Sequence, residues 1–276
     1  MFSLAKWYLD CTTDQGEAWI LYAARLSLGP LHIAYSSVIH AGPQIPVTQI
    51  RSLGVHADPV LAGPAGSVHG ASIELPALGV SGRWEAMQAA RGISAGLYES
   101  PEGAVVWNAH LPCARADLTI KGQRITGIGY VELLKMTIPP WKLPINTLRW
   151  GRLITDNHHA VWIHWAGPHP RADLWIDGRR HSIIECTDLS MSWSGGRIRL
   201  LPRATIRRGA LGPGVLDSIP VLRNLVPPRI RAAHEHKWLS QGVLELPGIV
   251  ESGTSIHETV HLDAFEQLES AMEVHA

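Results

Sequence analysis

One glutamate near the middle of this 276-residue chain stands where an acid catalyst would stand. Glu132 falls in the stretch Gly127-Ile-Gly-Tyr130-Val-Glu132-Leu-Leu-Lys-Met136, and Leu148-Arg-Trp150-Gly-Arg152 follows a proline-rich segment. If residues 129–136 are extended, the two-residue period of a strand puts Tyr130, Glu132, Leu134 and Met136 on one face. A carboxylate among large, mainly apolar neighbours is costly to bury unpaired. It must reach solvent, pair with a cation such as Arg149 or Arg152, or be held protonated by a raised pKa. A neutral carboxyl can donate a proton at neutral pH, which is general acid chemistry.

Other residues carry weaker signals. In Ala160-Val-Trp162-Ile-His164-Trp165, alternation puts Trp162 and His164 on one face and Val161, Ile163 and Trp165 on the other. A strand apolar on both faces is buried on both sides or borders a cavity. His164 is read either as a core histidine or as a base or donor to a ligand. Trp107 and His110 fall on opposite faces of their run, so only one of them can line a given cavity. Glu185, between Ile183-Ile184 and Cys186, is a second acid in an apolar run.

His257-Glu258-Thr-Val-His261 matches the His-Glu-x-x-His zinc hydrolase pattern. That chemistry needs a helix, where residues four apart share a face and reach one metal. The β-branched Thr259-Val260 favours a strand, which would separate the two imidazoles by about 13 Å. No metal site is expected from it. The glycine-rich segments lack the strand–loop–helix context of nucleotide binding, and no nucleophile elbow is present, so no cofactor is expected.

The elements that position these residues read as mainly β. Trp7–Thr12, Ala18–Leu28 and Leu31–Ile39, divided by Thr-Asp-Gln-Gly and Gly-Pro, form a meander. Residues 42–70 are rich in Gly, Pro, Ala and His and read as loop with one short strand at most. Strand-sized runs follow at Ser72–Leu78, Val80–Ala86, Gly92–Glu99, Val105–Leu111, Ala116–Lys121 and Arg124–Thr137. Pro139, Pro140 and Pro144 interrupt regular structure and suggest a junction, giving halves of 1–138 and 139–276. The second half repeats the style, with strands expected at Leu148–Thr155, Ala160–Ala166, Ala172–Ile176, Arg179–Cys186, Leu189–Trp193, Arg197–Leu201, His236–Leu246 and Thr254–Leu262. Helices are expected at Val215–Val226 and, by the spacing of Phe265, Leu268 and Met272, at Ala264–Val274.

The Gly127–Glu132 motif, with Trp150-Gly151 behind it, resembles the carotenoid 1,2-hydratase (hydroxyneurosporene synthase) family. Its members carry Gly-x-Gly-Tyr-x-Asp with a Trp-Gly pair close behind. The wider group includes tocopherol cyclase-like and Diels–Alderase-like proteins, built from two lipocalin-like barrels of the calycin type. This chain has Glu132 in place of the Asp, Val131 and Leu133 where the hydratases carry histidines, and a proline-rich insertion before Trp150. The resemblance implies two lipocalin-like antiparallel β-barrel halves with a short C-terminal helix. It also implies a cofactor-free hydratase, isomerase or cyclase acting on a hydrophobic unsaturated small molecule. Glu132 would be the acid and Tyr130 would share its hydrogen-bond network. Trp107, Trp150 and Trp162 would wall the cavity; Arg152 and His164 would orient a polar group, with Glu185 a further contact. The same cavity would also serve a non-catalytic lipid or pigment carrier.

Composition agrees with a globular protein: 46% hydrophobic, 17% charged, and eleven Trp against two Phe. Zero formal net charge argues against nucleic acid as the main partner. Three widely spaced cysteines make no disulfide framework and point to a reducing compartment. With neither a signal-peptide pattern nor an apolar run of membrane-spanning length, a cytoplasmic protein with no integral membrane segment is expected.

Overall fold

A computed structural model of the protein describes residues 1–55, 70–87, 92–211 and 227–262. The helices expected at Val215–Val226 and Ala264–Val274 lie outside the described residues. The first sheet contains β1 (Phe2–Thr12), β2 (Ala18–Leu28), β3 (Leu31–Gly42), β4 (Ile45–Val55), β5 (Gly70–Leu75), β6 (Val80–Ala86), β7 (Ile93–Ser100), β8 (Gly103–Ile120) and β9 (Gln123–Met136). The second contains β10 (Thr147–Thr155), β11 (His159–Ala166), β12 (Arg171–Ile176), β13 (Arg179–Ser182), β14 (Glu185–Cys186), β15 (Ser190–Trp193), β16 (Gly196–Ala210), β17 (His234–Leu246) and β18 (Ile249–His261). A single turn of helix, α1 (Pro228–Ala232), precedes β17.

Both sheets are antiparallel and have the same plan. The first runs β4-β3-β2-β1-β9-β8-β6-β5 with β7 also on β8; the second runs β13-β12-β11-β10-β18-β17-β16-β15-β14. In each, a meander leads away from the first strand and the last strand returns to pair with it. These are two lipocalin-like halves, as the resemblance implied.

Several segments depart from the expected strands. Residues 45–55, read as loop, form the eleven-residue strand β4, because pairing with β3 overrides a weak local pattern. The runs Val105–Leu111 and Ala116–Lys121 are one strand, β8. Pro112, which cannot donate a ladder hydrogen bond, is absorbed by register shifts between Ala109 and Ala114. In the same way β16 continues past Pro202 through a bulge. The stretch expected as one strand at Arg179–Cys186 is broken into β13 and β14.

Alternation along the strands produces three cores. Trp7, Leu9 and Cys11 of β1 join Trp84, Leu118 and Val131 inside the first half. Leu153, Trp162, Leu174 and Trp193 fill the second. The opposite faces of the same strands, including Tyr8, Trp107, Tyr130, Trp150, Trp165 and Trp175, form a third core between the halves.

Two close backbone approaches explain the glycine motif. The Trp84 indole lies across β9 and donates from Nε1 to the Asp10 carbonyl at 2.7 Å. A Cβ on Gly129 would collide with that carbonyl and press on the indole, and one on Gly127 would strike the Thr12 carbonyl. In the second half a Cβ on Gly151 would strike the Trp162 ring.

The halves are clamped by one buried ion pair. Arg152 on β10 donates from Nη2 and Nε to the two carboxylate oxygens of Asp10 on β1, at 2.7 and 3.1 Å, and from Nη1 to the Thr254 carbonyl at 2.9 Å. Both side chains are fully buried. Burial alone would lower the pKa of Arg152, and the Asp10 carboxylate outweighs it and raises it. Burial pushes Asp10 upward against the opposing pull of Arg152. The two-point geometry carries the pair as ions.

β1 and β10 are the corresponding first strands of the two halves, and they meet through corresponding residues. Tyr8 and Trp150 are in ring contact at 4.9 Å, and Asp10 and Arg152 stand two residues further along. The chain spacing is the same in both pairs, so the two first strands meet in register.

Gly129→Ala should lower stability by about 1–3 kcal/mol, the usual cost of overpacking a fitted core. The loss would read out as a lower midpoint in denaturant with a changed near-ultraviolet signal from Trp84. Asp10→Leu or Arg152→Met alone should cost about 3–5 kcal/mol by stranding the partner charge. The double variant Asp10→Leu with Arg152→Met should recover much of that loss. Equilibrium unfolding of the four proteins would measure the coupling, and additive losses would refute it.

Candidate functional site

The face of β9 that carries Tyr130, Glu132, Leu134 and Met136 turns toward the second half, as its alternation required. Glu132 is 5% exposed, and three donors converge on its Oε2. These are Trp107 Nε1 from β8 at 2.6 Å, the Tyr130 hydroxyl at 2.8 Å, and Trp150 Nε1 from β10 at 3.0 Å. Tyr8 is directly opposite Glu132 in the β1–β9 ladder and packs edge-on against Tyr130 and Trp150. Trp107 extends the aromatic wall to Trp175, with rings 5.3 Å apart.

Among the described residues Glu132 makes no ion pair. The two arginines considered for it are engaged elsewhere, Arg149 with Asp188 at 2.8 Å and Arg152 with Asp10. Burial raises the Glu132 pKa; Lys6 and the Trp107 and Tyr130 hydrogen bonds pull the other way. Burial thus holds the carboxyl above its usual range, and the carboxylate left after proton donation would meet three donors already aimed at one oxygen.

The equivalent residue in the second half is treated in the opposite way. Glu258 stands opposite Trp150 in the β10–β18 ladder, as Glu132 stands opposite Tyr8. Its carboxylate meets the Lys237 ammonium at 2.5 Å, and Lys237 also donates to the Tyr22 hydroxyl at 2.6 Å and lies 3.3 Å from Glu235. Burial would raise the Glu258 pKa, and Lys237 outweighs it and lowers it. Two corresponding buried glutamates thus differ by one cation.

The remaining expected site residues disperse. Arg152 is a strut between halves rather than a free guanidinium for a ligand, since all three of its nitrogens are engaged. Trp162 faces the interior of the second half, over Gly151, away from Glu132. The face of β11 that meets the first half carries Val161, Ile163 and Trp165 instead. His164 shares the interior face with Trp162. Glu185 is exposed on the short edge strand β14, because the apolar run around it is not continuous strand. His257 and His261 lie on the strand β18, so the zinc pattern lacks its helix. His257 bonds Ser240 at 2.8 Å and stacks on Trp238, and burial pushes its pKa down to about 3.

Sequence reasoning missed Asp10, although an acid within Trp7-Tyr8-Leu9-Asp10-Cys11 is the same signal that singled out Glu132. It also missed Tyr8 and Lys237, each of which reaches into the other half, Tyr8 to Trp150 and Lys237 to Tyr22. Two surface clefts flank the core between the halves. One, of about 530 Å³, is lined by the β7–β8 hairpin, including Leu97 and Val105, and by His169 and Arg171 from the second half. The other, of about 400 Å³, has Thr12 and Asp14 from the first half and Ile154 and Asp156 from the second. Neither is lined by Glu132 or Trp107; Trp107, which donates to Glu132, follows Val105 of the first cleft on the same face of β8.

No protein-family model and no curated protein matches the chain. Solved structures do. The chain is similar to CghA, with 10% identity and a TM-score of 0.56 over 95% of this chain and 89% of that one. It is similar to a putative AttH from Nitrosomonas europaea, with 10% identity and a TM-score of 0.57 over 94% and 92%. Kievitone hydratase from Nectria haematococca gives 11% identity and a TM-score of 0.52 over 94% and 88%. The likeness spans nearly the full length of each, and the fold of this chain is the double-lipocalin fold of those proteins.

Proposed function

We propose that the protein is an enzyme that uses Glu132 as a general acid on a hydrophobic, unsaturated small molecule. The product would arise by hydration, isomerisation or cyclisation. The observation that carries this reading is a buried carboxyl with no ion pair among the described residues, ringed by two indole donors and a phenol. The fold shared with kievitone hydratase supports it.

Proton transfer from Glu132 to a carbon–carbon double bond or a carbonyl would leave positive charge on the substrate and negative charge on the carboxyl. Trp107 and Trp150 answer both. Their ring faces attract a developing cation, and their N–H groups, with the Tyr130 hydroxyl, stabilise the carboxylate. The chemistry needs only the protein's own acid. The 530 Å³ cleft is within the size range of small-molecule sites, and its floor residues Leu97 and Val105 belong to the same apolar core as Trp107. A substrate seated there reaches the acid when the Trp107 side chain yields. Tyr130 acts as a positioning residue through its bond to Oε2. Trp162, Arg152 and Glu185 have no part in this arrangement, whereas Trp107 and Trp150 do.

Glu132→Gln keeps the shape and removes the proton. With an apolar compound extracted from the purified protein and identified by mass spectrometry, this variant should retain binding and lose turnover by about 100-fold or more. Unchanged turnover, or a wild-type protein that holds the compound without converting it, would favour a carrier. Turnover by the wild type should fall as pH rises through the raised pKa of Glu132. The same carboxyl contributes stability below its unfolded-state pKa and loses that contribution as pH rises through its folded value. Glu132→Gln should therefore gain stability relative to wild type toward alkaline pH, measured as thermal midpoints across the pH range. Infrared spectra at neutral pH should show a protonated carboxyl band that Glu132→Gln removes and Glu258→Gln leaves.

A further inference from the structure

Each half sets a lysine beside its corresponding glutamate, but at a different place. In the second half Lys237 stands directly opposite Glu258 in the β17–β18 ladder and meets its carboxylate in an ion pair. The corresponding position in the first half, opposite Glu132 in the β8–β9 ladder, is the fully buried Ala109. The lysine of the first half is on the strand at the other side of the acid. Tyr8 of β1 is paired with Glu132, and Lys6, two residues earlier, is paired with Leu134. Lys6 is therefore diagonal to Glu132 on the same face of the sheet, where Cα atoms are about 7–8 Å apart and long side chains reach each other. The second half has Leu148 at the position corresponding to Lys6, paired with Val260.

Lys6 is half-buried and shares its face with Leu4, Tyr8 and Leu134, which pack on the core between the halves. Its ammonium lies 5.8 Å from the centre of the Tyr22 ring, and among the described residues it makes no ion pair. A cation in contact with a carboxylate holds it ionised, as Lys237 does for Glu258. A cation one diagonal step away attracts the negative charge through space and leaves the carboxyl to its neutral donors. Of the influences that oppose burial at Glu132, the charge of Lys6 is the largest, ahead of the Trp107 and Tyr130 hydrogen bonds. The other titratable groups around the carboxyl are Tyr8 from β1, Tyr130 from β9 and Glu258 from β18. Burial keeps both phenols neutral, and Glu258 pushes the Glu132 pKa up. Trp107 and Trp150 close the ring from β8 and β10 without titrating. Lys237 of β17 and Arg152 of β10 are bound to Glu258 and Asp10. A general acid must give up its proton as well as hold it, and burial alone makes the resulting charge costly.

We propose that Lys6 is a positioning residue for the acid centre. Its ammonium, held one diagonal step from Glu132, stabilises the carboxylate formed on proton donation without an ion pair that would take the proton beforehand. The inference rests on the reading of Glu132 as the acid. Moving the lysine from the strand opposite the glutamate to the diagonal is what distinguishes the Glu132 arrangement from the Glu258 salt bridge.

Infrared titration of the full-length protein, without substrate, tests this on the Glu132 carboxyl band, assigned by its loss in Glu132→Gln. Lys6→Met keeps an unbranched apolar stem and removes the charge, so the protonated band should persist to higher pH than in wild type. Lys6→Arg keeps the charge and should keep the wild-type midpoint. In turnover, Lys6→Met should move the alkaline limb of the pH profile upward and lower the plateau rate several-fold with little change in KM, and Lys6→Arg should restore both. An unmoved band in Lys6→Met, or an equal shift in Lys6→Arg, overturns the proposal and leaves Lys6 an ordinary half-buried lysine. The two readings fail separately. A shifted band with normal turnover in Glu132→Gln would overturn the acid and leave the coupling, whereas an unmoved band with an inactive Glu132→Gln would overturn the coupling and leave the acid.

Discussion

Charges enclosed between two apolar sheets have no water to answer them, so each must find its partner in the protein or give up its charge. The contact between the halves is organised around that constraint. Asp10 and Arg152 answer each other between the halves, and the Thr254 carbonyl takes the remaining donor. Lys237 is answered by Glu258, Glu235 and Tyr22. Among the described residues Glu132 makes no ion pair; it meets three neutral donors and feels the charge of Lys6.

Comparison of the halves sharpens this point. Glu132 and Glu258 hold corresponding places in corresponding ladders, and burial acts on both in the same direction. What separates them is the neighbour on the adjacent strand. Lys237 is opposite Glu258, whereas Ala109 is opposite Glu132. One difference between equivalent positions leaves one carboxyl in a salt bridge with a lowered pKa and the other without one, with a raised pKa. The same divergence appears inside the halves, where an apolar rung through Trp7 corresponds to a polar one through Arg149. Duplicated architecture supplies equivalent positions, and single side chains give them different chemistry.

The clefts sit at the borders of this shared core rather than within either half. Leu97 and Val105 belong both to the cleft and to the core, so the apolar surface is continuous from solvent to Trp107. Trp107 belongs to that core and is also one of the three donors to Glu132.

Much of the architecture was legible in the sequence because strands, turns and the Pro139–Pro144 break are local features. Two-residue alternation also placed Glu132, Tyr130, Leu134 and Met136 on one face, and all four meet the core between the halves. β4 was missed because its residues are extended by their partner strand rather than by their own pattern. Alternation separated Trp162 from Trp165 correctly, yet it could not say which face turns toward Glu132, since both faces of β11 are apolar. Nor could it assign Arg152 to Asp10 or Lys237 to Glu258, because electrostatic partners are chosen by distance in space. The sequence determined that an acid would stand in a greasy strand. Only the tertiary structure, by bringing two sheets face to face and pairing Arg149, Arg152 and Lys237 with other carboxylates, decided that this acid would be buried among neutral donors.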